Sequence, residues 1–275
     1  MTTLSWKEIP HIALRYTPDV TLFWEEYIRL RELRQTHSRP ALTLNTLLLR
    51  LITEGLKAAP SLNATFRFNP RTVTGTLTPS ASIDVSIPWV LPSGKMMTVT
   101  LRGIENDSLD AIASKMSTLR EKIRSTDMDS AMYEVALRQT LDEVKHLHLG
   151  VLSRIVGARV GKGRLIKPTR KDLKAYRAIP PEGKITAEDL RQGSVTVSNI
   201  GSVMKGLPVE MELLDIVPPQ VAAIGIGSMR EGPSGEKTIP LVLCLDHRAL
   251  DGGGAKPFFD ALEAVFKDPG VIRDW

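Results

Sequence analysis

The stretch between residues 239 and 267 constrains the fold most, because its pattern of apolar and polar residues changes twice over a short length. It opens with an apolar run at residues 239–245, which is too short for the core of a helix and is typical of a buried strand. A polar triplet centred on His247 follows, and the glycines at 252–254 then lead into a helical pattern. This order predicts a strand, a turn and a helix over residues 255–267. His247 would then lie at the end of a stiff strand, where a side chain is well held for chemistry.

Length and composition narrow the class of protein. With 275 residues, 42% of them hydrophobic, the chain is long enough to bury a core, as one large domain or two small ones. It contains no apolar run of about 18 residues, so we expect no membrane span. The only cysteine is Cys244 and no apolar signal region begins the chain, which together predict a cytoplasmic protein without an internal disulfide. No Cys/His cluster has zinc-ligand spacing, so we expect no metal site.

The spacing of the residues after the apolar run is specific. His247, three further residues, then Asp251 and Gly252 form a His-x-x-x-Asp-Gly motif. This motif resembles the active-site motif of the acyltransferase components of 2-oxo acid dehydrogenase complexes, which share their fold with chloramphenicol acetyltransferase. Taken alone, the same residues are also compatible with a structural histidine that is hydrogen-bonded at a strand end.

Other segments resemble the same catalytic domain, in the same order along the chain. The resemblance covers about residues 9–126 and 183–272. Residues 95–99 depart from the family pattern, close to where family members bind the pantetheine arm of coenzyme A. The matching segments are residues 11–14, 19–21, 59–64, 84–87, 91–95, 184–190, 193–201 and 217–227.

The resemblance implies an α/β fold of the chloramphenicol acetyltransferase type, in which helices flank a mixed β-sheet. We expect residues 1–275 to form a single catalytic domain, with an insertion at about residues 127–182 that does not match the family. Periodicity predicts a buried helix at about residues 44–58. It also predicts a helix from residue 109 to about residue 124, for which Ser108 is a suitable N-cap.

The insertion begins with a helical pattern and then becomes strongly basic. Residues 154–177 contain nine Lys or Arg against one acid, Asp172. One interpretation is an inserted helical excursion with a solvated basic face. The functional interpretation is a docking surface for the phosphates of coenzyme A or for an acidic carrier domain, with which the net charge of +5 is compatible. Nucleic-acid binding is disfavoured, because Tyr176 is the only aromatic residue among these charges.

The resembled family transfers an acyl group between the thiols of dihydrolipoamide and coenzyme A. A thiol with a pKa of about 8.5 is little ionised near neutral pH, so a histidine with a pKa of about 6.5 is well suited to take its proton. His247 is the candidate base. By resemblance, Ser198 donates a hydrogen bond to the oxyanion of the tetrahedral intermediate. The chain has no Gly-x-Ser-x-Gly elbow, so a nucleophilic serine is not supported.

The resemblance also implies roles for the neighbouring residues. Asp251 is expected to support the site by pairing with an arginine, and Arg15 and Arg248 are both open as its partner. Arg248, Asn199 and Gly252 are expected to contact the substrate. Gly252 is further expected in a close or left-handed turn, where a side chain would be unfavourable.

The leading hypothesis is therefore a coenzyme A-dependent acyltransferase. Because no lipoyl domain is recognised ahead of residue 9, we expect the lipoyl group to be on a separate carrier protein. By resemblance, the subunits form trimers, or larger assemblies of trimers, and each site combines His247 of one subunit with Ser198 of its neighbour. A hydroxyl or amine acceptor is the alternative reaction. A non-catalytic trimeric scaffold of the same fold is the alternative class.

Overall fold

The computed structural model describes residues 2–36, 41–91, 94, 96–145 and 168–275. The chain divides into two compact units. Every site residue that the sequence predicts lies in the first unit. The first unit comprises Met1–Trp89, Thr100–Met116 and Gln192–Trp275, and the second comprises Val90–Val99 and Ser117–Arg191.

Groups of strands and groups of helices follow one another along the described chain. The strands are β1 (His11–Tyr16), β2 (Ala64–Asn69), β3 (Thr74–Pro79), β4 (Val85–Val90), β5 (Met96–Leu101), β6 (Val195–Asn199), β7 (Ala222–Ile226), β8 (Arg230–Glu231), β9 (Lys237–Thr238) and β10 (Leu241–Asp246). The α-helices are α1 (Thr2–Glu8), α2 (Thr21–Thr36), α3 (Leu44–Ala58), α4 (Leu109–Ser125), α5 (Met128–Lys145), α6 (Arg170–Ala178), α7 (Ala187–Leu190), α8 (Ile200–Val203) and α9 (Lys256–Lys267). Short 3₁₀ helices are formed by Pro60–Leu62, Pro181–Gly183, Gly252–Ala255 and Pro269–Asp274.

A six-stranded mixed sheet has the strand order β1-β10-β7-β6-β4-β5. Strand β10 pairs antiparallel with β1 and with β7. Strand β6 pairs parallel with β7 and with β4. Strands β2 and β3 form a separate antiparallel hairpin. The residues that follow β10 and those that end β6 therefore leave the same large sheet from different strands.

Strand β10 is buried along its whole length, as is its neighbour β7. Strands covered on both faces read as continuous apolar runs, which explains the run that ends at Leu245. Cys244 is fully buried, and its Sγ accepts a hydrogen bond from the backbone N–H of Leu214 at 3.1 Å. Burial raises the pKa of the Cys244 thiol. Its core cluster also contains Ile9, Ile216, Ala223 and Val242.

Helices α3 and α9 pack against each other in the first unit. Helix α9 buries Phe258, Leu262 and Phe266, the residues that its periodicity predicts for one face. Gly55 of α3 permits the close approach, because a Cβ there would lie 2.6 Å from side-chain carbons of Phe258 and Leu262. The helix that follows the His247 turn is therefore anchored to the core within its first turn.

In the second unit, helix α5 packs against α6 and α7. Tyr176 of α6 is buried, and its hydroxyl donates a hydrogen bond to the carbonyl of Ile185 at 2.8 Å. The backbone N–H of Ile185 donates to Thr126 Oγ1, also at 2.8 Å. These bonds fix α6 by its one buried face and leave Arg170, Lys171 and Lys174 exposed.

The predicted helices are confirmed, with small shifts at their ends. Helix α3 has the predicted bounds, and α4 begins at Leu109 with the N–H of Ala111 bonded to Ser108 Oγ. Helix α9 begins one residue later than predicted, because a 3₁₀ helix precedes it. Within the insertion α5 and α6 are helical, whereas residues 146–167, with much of the basic segment, lie outside the described residues. The single-domain organisation stays a prediction.

Over the described residues, no helix is both long enough and apolar enough to cross a membrane.

Candidate active site

His247 directly follows β10, and half of its side-chain surface is exposed. Its backbone N–H donates to the carbonyl of Pro10 at 2.9 Å, which ties it to the residue before β1. Its Nδ1 lies 3.3 Å from the carbonyl oxygen of Leu250 and 3.5 Å from Oδ1 of Asp251. Both acceptors favour a proton on Nδ1, which leaves Nε2 available to act as a base. His247 therefore lies at the strand end, as the sequence pattern predicts.

His11 is the only other histidine in the part of the chain that the structure describes. Its Nδ1 is 2.8 Å from the carbonyl of Ile9, and its Nε2 accepts a hydrogen bond from the backbone N–H of Ile216 at 3.3 Å. With both ring nitrogens bonded to backbone groups, His11 is a structural histidine. It is therefore not a competing candidate for the base.

Arg248 binds the carboxylate of Asp246, which is almost fully buried. Its Nε is 2.9 Å from Oδ1 and its Nη2 is 2.7 Å from Oδ2, so two parallel hydrogen bonds form. These bonds raise the pKa of the Arg248 guanidinium and keep it charged. The same guanidinium lies over the rings of Phe66 and Phe68. Contact between Arg248 and a substrate stays a prediction.

Neither arginine considered as the partner of Asp251 pairs with it within the chain. Arg15 forms an ion pair with Glu212, with Nη2 and Oε1 2.6 Å apart. Arg248 is held by Asp246, which offers a buried carboxylate two residues away. The Asp251 side chain is 91% exposed, and its Oδ1 lies 3.5 Å from Nδ1 of His247. Asp251 therefore reaches the base directly.

Gly252 does not adopt the left-handed turn that the sequence analysis expects. Its φ angle lies outside the left-handed region, because the chain enters a 3₁₀ helix at this residue. A Cβ at Gly252 would make only ordinary van der Waals contact, 3.7 Å from a side-chain carbon of Leu14. The approach to Gly252 is therefore not close either, and its contact with the substrate stays a prediction.

Ser198 is the penultimate residue of β6 and is half buried. It lies opposite Gly225 of β7 in the parallel register. Within the described ranges, Ser198 Oγ makes no hydrogen bond. A hydroxyl held by a strand and free to donate is the kind of group that can stabilise a developing oxyanion.

Asn199 has structural partners on both sides of its amide. Its Oδ1 accepts the backbone N–H of Ser202 at 2.9 Å and so caps helix α8. Its Nδ2 donates to Oδ1 of Asn45 on α3 at 2.6 Å. Asn199 therefore fixes the turn that follows Ser198, and its predicted contact with the substrate stays a prediction.

Ser198 and His247 lie at opposite ends of the sheet. Ser198 is level with Gly225, and Gly225 is level with Val242 of β10. His247 is five residues further along β10 and the turn that follows. At about 3.4 Å per residue, this separation is roughly 17 Å along the strand direction. A serine hydroxyl and an imidazole of one chain cannot share a reacting carbonyl over that distance.

A cleft of about 560 Å³ lies beyond the Ser198 end of β6. Its lining includes Gly201, Lys205, Ser228 and Arg230. Arg230 pairs with Glu210 at 3.2 Å, whereas no described residue pairs with Lys205. Glu231 also lines the cleft and pairs with Lys237 at 3.2 Å, so Lys205 is the one charged side chain of the lining without a described partner. In the same described ranges, no group of three or more His, Cys, Asp or Glu residues could hold a metal ion.

Comparison with known proteins finds a family model that matches most of the chain. The family model described as 2-oxoacid dehydrogenases acyltransferase (catalytic domain) matches residues 1–134 and 166–272. The chain is 34% identical, over 106 residues, to the dihydrolipoyllysine-residue succinyltransferase component of the Haemophilus influenzae 2-oxoglutarate dehydrogenase complex. That match covers 36% of this chain and 25% of the relative, so the chain spans about a quarter of that protein.

Solved structures share the fold at low sequence identity. The dihydrolipoamide acetyltransferase of Azotobacter vinelandii, studied for the catalytic roles of a serine, a histidine and an asparagine, superimposes with a TM-score of 0.63. The superposition covers 98% of this chain and 87% of that one, at 18% identity. The cubic core of a pyruvate dehydrogenase multienzyme complex gives 0.62 at 18% identity, over 98% of this chain and 87% of that one. The predicted α/β fold, with helices flanking a mixed sheet, is confirmed.

Proposed function

Because the chain belongs to the family of 2-oxoacid dehydrogenase acyltransferase catalytic domains, we propose that it transfers an acyl group between coenzyme A and the thiol of dihydrolipoamide. The observation that carries this proposal is His247, a half-exposed imidazole whose Nδ1 faces two acceptors and whose Nε2 is free. Such a base activates a thiol, and thiols are the reacting groups at both ends of this transfer.

In the proposed reaction, Nε2 of His247 takes the proton from the attacking thiol as its sulfur bonds to the thioester carbonyl carbon. The carbonyl oxygen becomes an oxyanion, to which Ser198 Oγ donates a hydrogen bond. The intermediate then collapses: the bond to the leaving sulfur breaks, and the proton on Nε2 passes to that sulfur. Asp251, 3.5 Å from Nδ1, stabilises the imidazolium while it carries the proton.

We propose that His247 and Ser198 act together only across a subunit interface. The sheet register supports this, since the two residues are roughly 17 Å apart along the strands of one chain. A cyclic trimer with head-to-tail interfaces would bring the His247 end of one subunit to the Ser198 end of the next. Assembly of such trimers into a larger core is part of the same proposal.

The cleft near Ser198 is a proposed site for part of coenzyme A. Lys205, in its lining, has no partner among the described residues, and the phosphate groups of coenzyme A are anions that it could bind. The acyl group would arrive on a lipoyl group attached to a carrier protein. A reducing cytoplasm fits the single buried cysteine, and no metal takes part in the proposed steps.

An acyl-transfer screen tests the function. Acetyl- and succinyl-coenzyme A are each incubated with the protein and free dihydrolipoamide, and free coenzyme A is measured by chromatography. Total thiol is measured in parallel, because transfer between thiols leaves it constant whereas transfer to a hydroxyl or amine raises it. We expect release of coenzyme A at constant total thiol. Release with rising thiol in the presence of an alcohol or amine would identify the alternative reaction, and no release would favour a scaffold.

The exposed basic face of α6 gives a further prediction. Replacing Arg170, Lys171 and Lys174 by glutamine is expected to raise KM for a carrier-borne lipoyl group at low ionic strength, because the face attracts an acidic carrier. The difference from wild type should shrink as salt screens the charges. Steady-state kinetics over a salt series measures it.

A matched control removes the same charge elsewhere, at the exposed Lys7, Arg29 and Arg31. An equal rise in KM for the control would mean that the net charge of the protein, and not the α6 face in particular, causes the effect. Unchanged KM in the α6 variant at every ionic strength would leave the face as a solvated surface.

A further inference from the structure

We propose that the β2–β3 hairpin is a positioning element for the His247 turn, and that Arg248 and Asp246 connect the two. The link runs from two phenylalanines of the hairpin, through the Arg248 guanidinium, to the carboxylate of Asp246. Only the turnover part of its test rests on the proposed function.

The hairpin presents a flat aromatic surface to Arg248. Phe66 and Phe68 are two residues apart on β2, and their rings are stacked with centroids 6.3 Å apart and planes inclined by 25°. The guanidinium carbon of Arg248 lies 5.7 Å from the Phe66 centroid and 5.2 Å from that of Phe68. Both distances are within the range of a cation–π interaction, about 6 Å.

Gly75 of β3 is needed for this surface to form. It lies opposite Phe68 in the hairpin register, and a Cβ there would be 2.2 Å from the ring of Phe66. Any side chain at this position would push the Phe66 ring away from β3. The hairpin therefore has a local sequence feature that places the ring where Arg248 meets it.

On its other side, the Arg248 guanidinium binds the buried negative charge of a carboxylate. Asp246 is the last residue of β10 and is 1% exposed, so its carboxylate must be neutralised by a bonded cation. Arg248 supplies two parallel hydrogen bonds, which a planar guanidinium can form and an ammonium group cannot. The guanidinium is thus fixed between the carboxylate and the aromatic rings.

The same aspartate holds the turn that carries His247. Its carboxylate accepts the backbone N–H of Arg248 at 3.0 Å, and its carbonyl accepts those of Ala249 and Leu250 at 2.9 and 3.0 Å. The carbonyl of Leu250 is in turn an acceptor for Nδ1 of His247. A displacement of Arg248 would therefore displace Asp246, and with it the turn and the imidazole of His247.

The experiment removes the aromatic surface without touching the turn. In the variant Phe66→Leu/Phe68→Leu, we expect kcat to fall by roughly tenfold to a hundredfold with KM unchanged, since a misplacement of about 1 Å can lower turnover by that much. Arg248→Lys should also lower kcat, because lysine keeps the positive charge but cannot form the two parallel hydrogen bonds. Thr76→Ala, on an exposed position of β3, is the matched control and should behave as wild type.

A second readout does not depend on activity. The imidazole NMR signals of His247, assigned by their loss in His247→Ala, should shift in the double variant and in Arg248→Lys but not in Thr76→Ala. Wild-type signals and wild-type kcat in the double variant would overturn the proposal. A raised KM with unchanged kcat would instead make Arg248 a substrate contact. If the wild-type protein has no acyltransferase activity, the proposed function fails while the NMR signals still decide the positioning role.

Thermal unfolding followed by circular dichroism checks that each variant is folded. Should the double variant unfold, Phe68→Leu alone provides the same two readouts, because Phe68 is already 37% exposed.

Discussion

Replacing His247 by alanine is expected to lower kcat for acyl transfer by roughly two to four orders of magnitude, as the removal of a general base does. The loss of stability should be small, because half of the side chain is exposed. Steady-state kinetics with free dihydrolipoamide measures the first effect, and thermal unfolding measures the second. Turnover close to wild type in a folded His247→Ala protein would refute the proposed mechanism.

Asp251→Asn is the informative companion to that variant. It preserves the size of the side chain and removes the carboxylate that faces Nδ1 of His247. Because an exposed ion pair contributes little, the decrease in kcat should be much smaller than for His247→Ala. A decrease as large as that of His247→Ala would instead mean that a neighbouring subunit buries Asp251. Solvent would then no longer weaken its interaction with the imidazolium of His247.

Mixing two inactive variants is expected to restore activity. Ser198→Ala and His247→Ala should each be nearly inactive alone, since the first lacks the oxyanion donor and the second lacks the base. If each site takes His247 from one subunit and Ser198 from the next, random mixed trimers contain intact sites at roughly a quarter of their interfaces. Unfolding equal amounts together and refolding them should therefore recover about a quarter of wild-type activity, by the same head-to-tail geometry.

Two controls make this experiment decisive. Each variant refolded alone must stay inactive, and light scattering with distinguishable tags must demonstrate that mixed trimers form. Mixed trimers without recovered activity would mean that the two residues do not share a site. The separation of Ser198 and His247 along the sheet would then require separate roles for them.

The elements with local signals could be predicted from the sequence. The apolar run before His247 and the spacing of Phe258, Leu262 and Phe266 each define one element, and the structure forms both. Ser108 was recognisable as a cap for the same reason, since its role depends only on the next three residues. The fold followed from segments that resemble a family and was confirmed by comparison with solved structures.

Contacts that depend on burial could not be predicted in this way. Arg248 has Asp246 and Asp251 at similar distances along the chain, and only the tertiary structure makes one of them buried and the other exposed. The contact of Arg248 with the β2–β3 hairpin joins residues far apart in sequence and has no local signal. Asn199 does have a local signal, because asparagine is a favoured N-cap, and the structure uses it to cap helix α8.

The buried position of Cys244 has a practical consequence for labelling. Its thiol is inaccessible and its raised pKa keeps it protonated, so maleimides and disulfide reagents should leave the folded protein unmodified. Colorimetric thiol assays would then report on the small molecules in solution with no background from the enzyme. A cysteine introduced at Val73, an exposed residue in the β2–β3 turn, would be the only reactive one, and a fluorophore placed there could follow the hairpin without removing any native residue of the core.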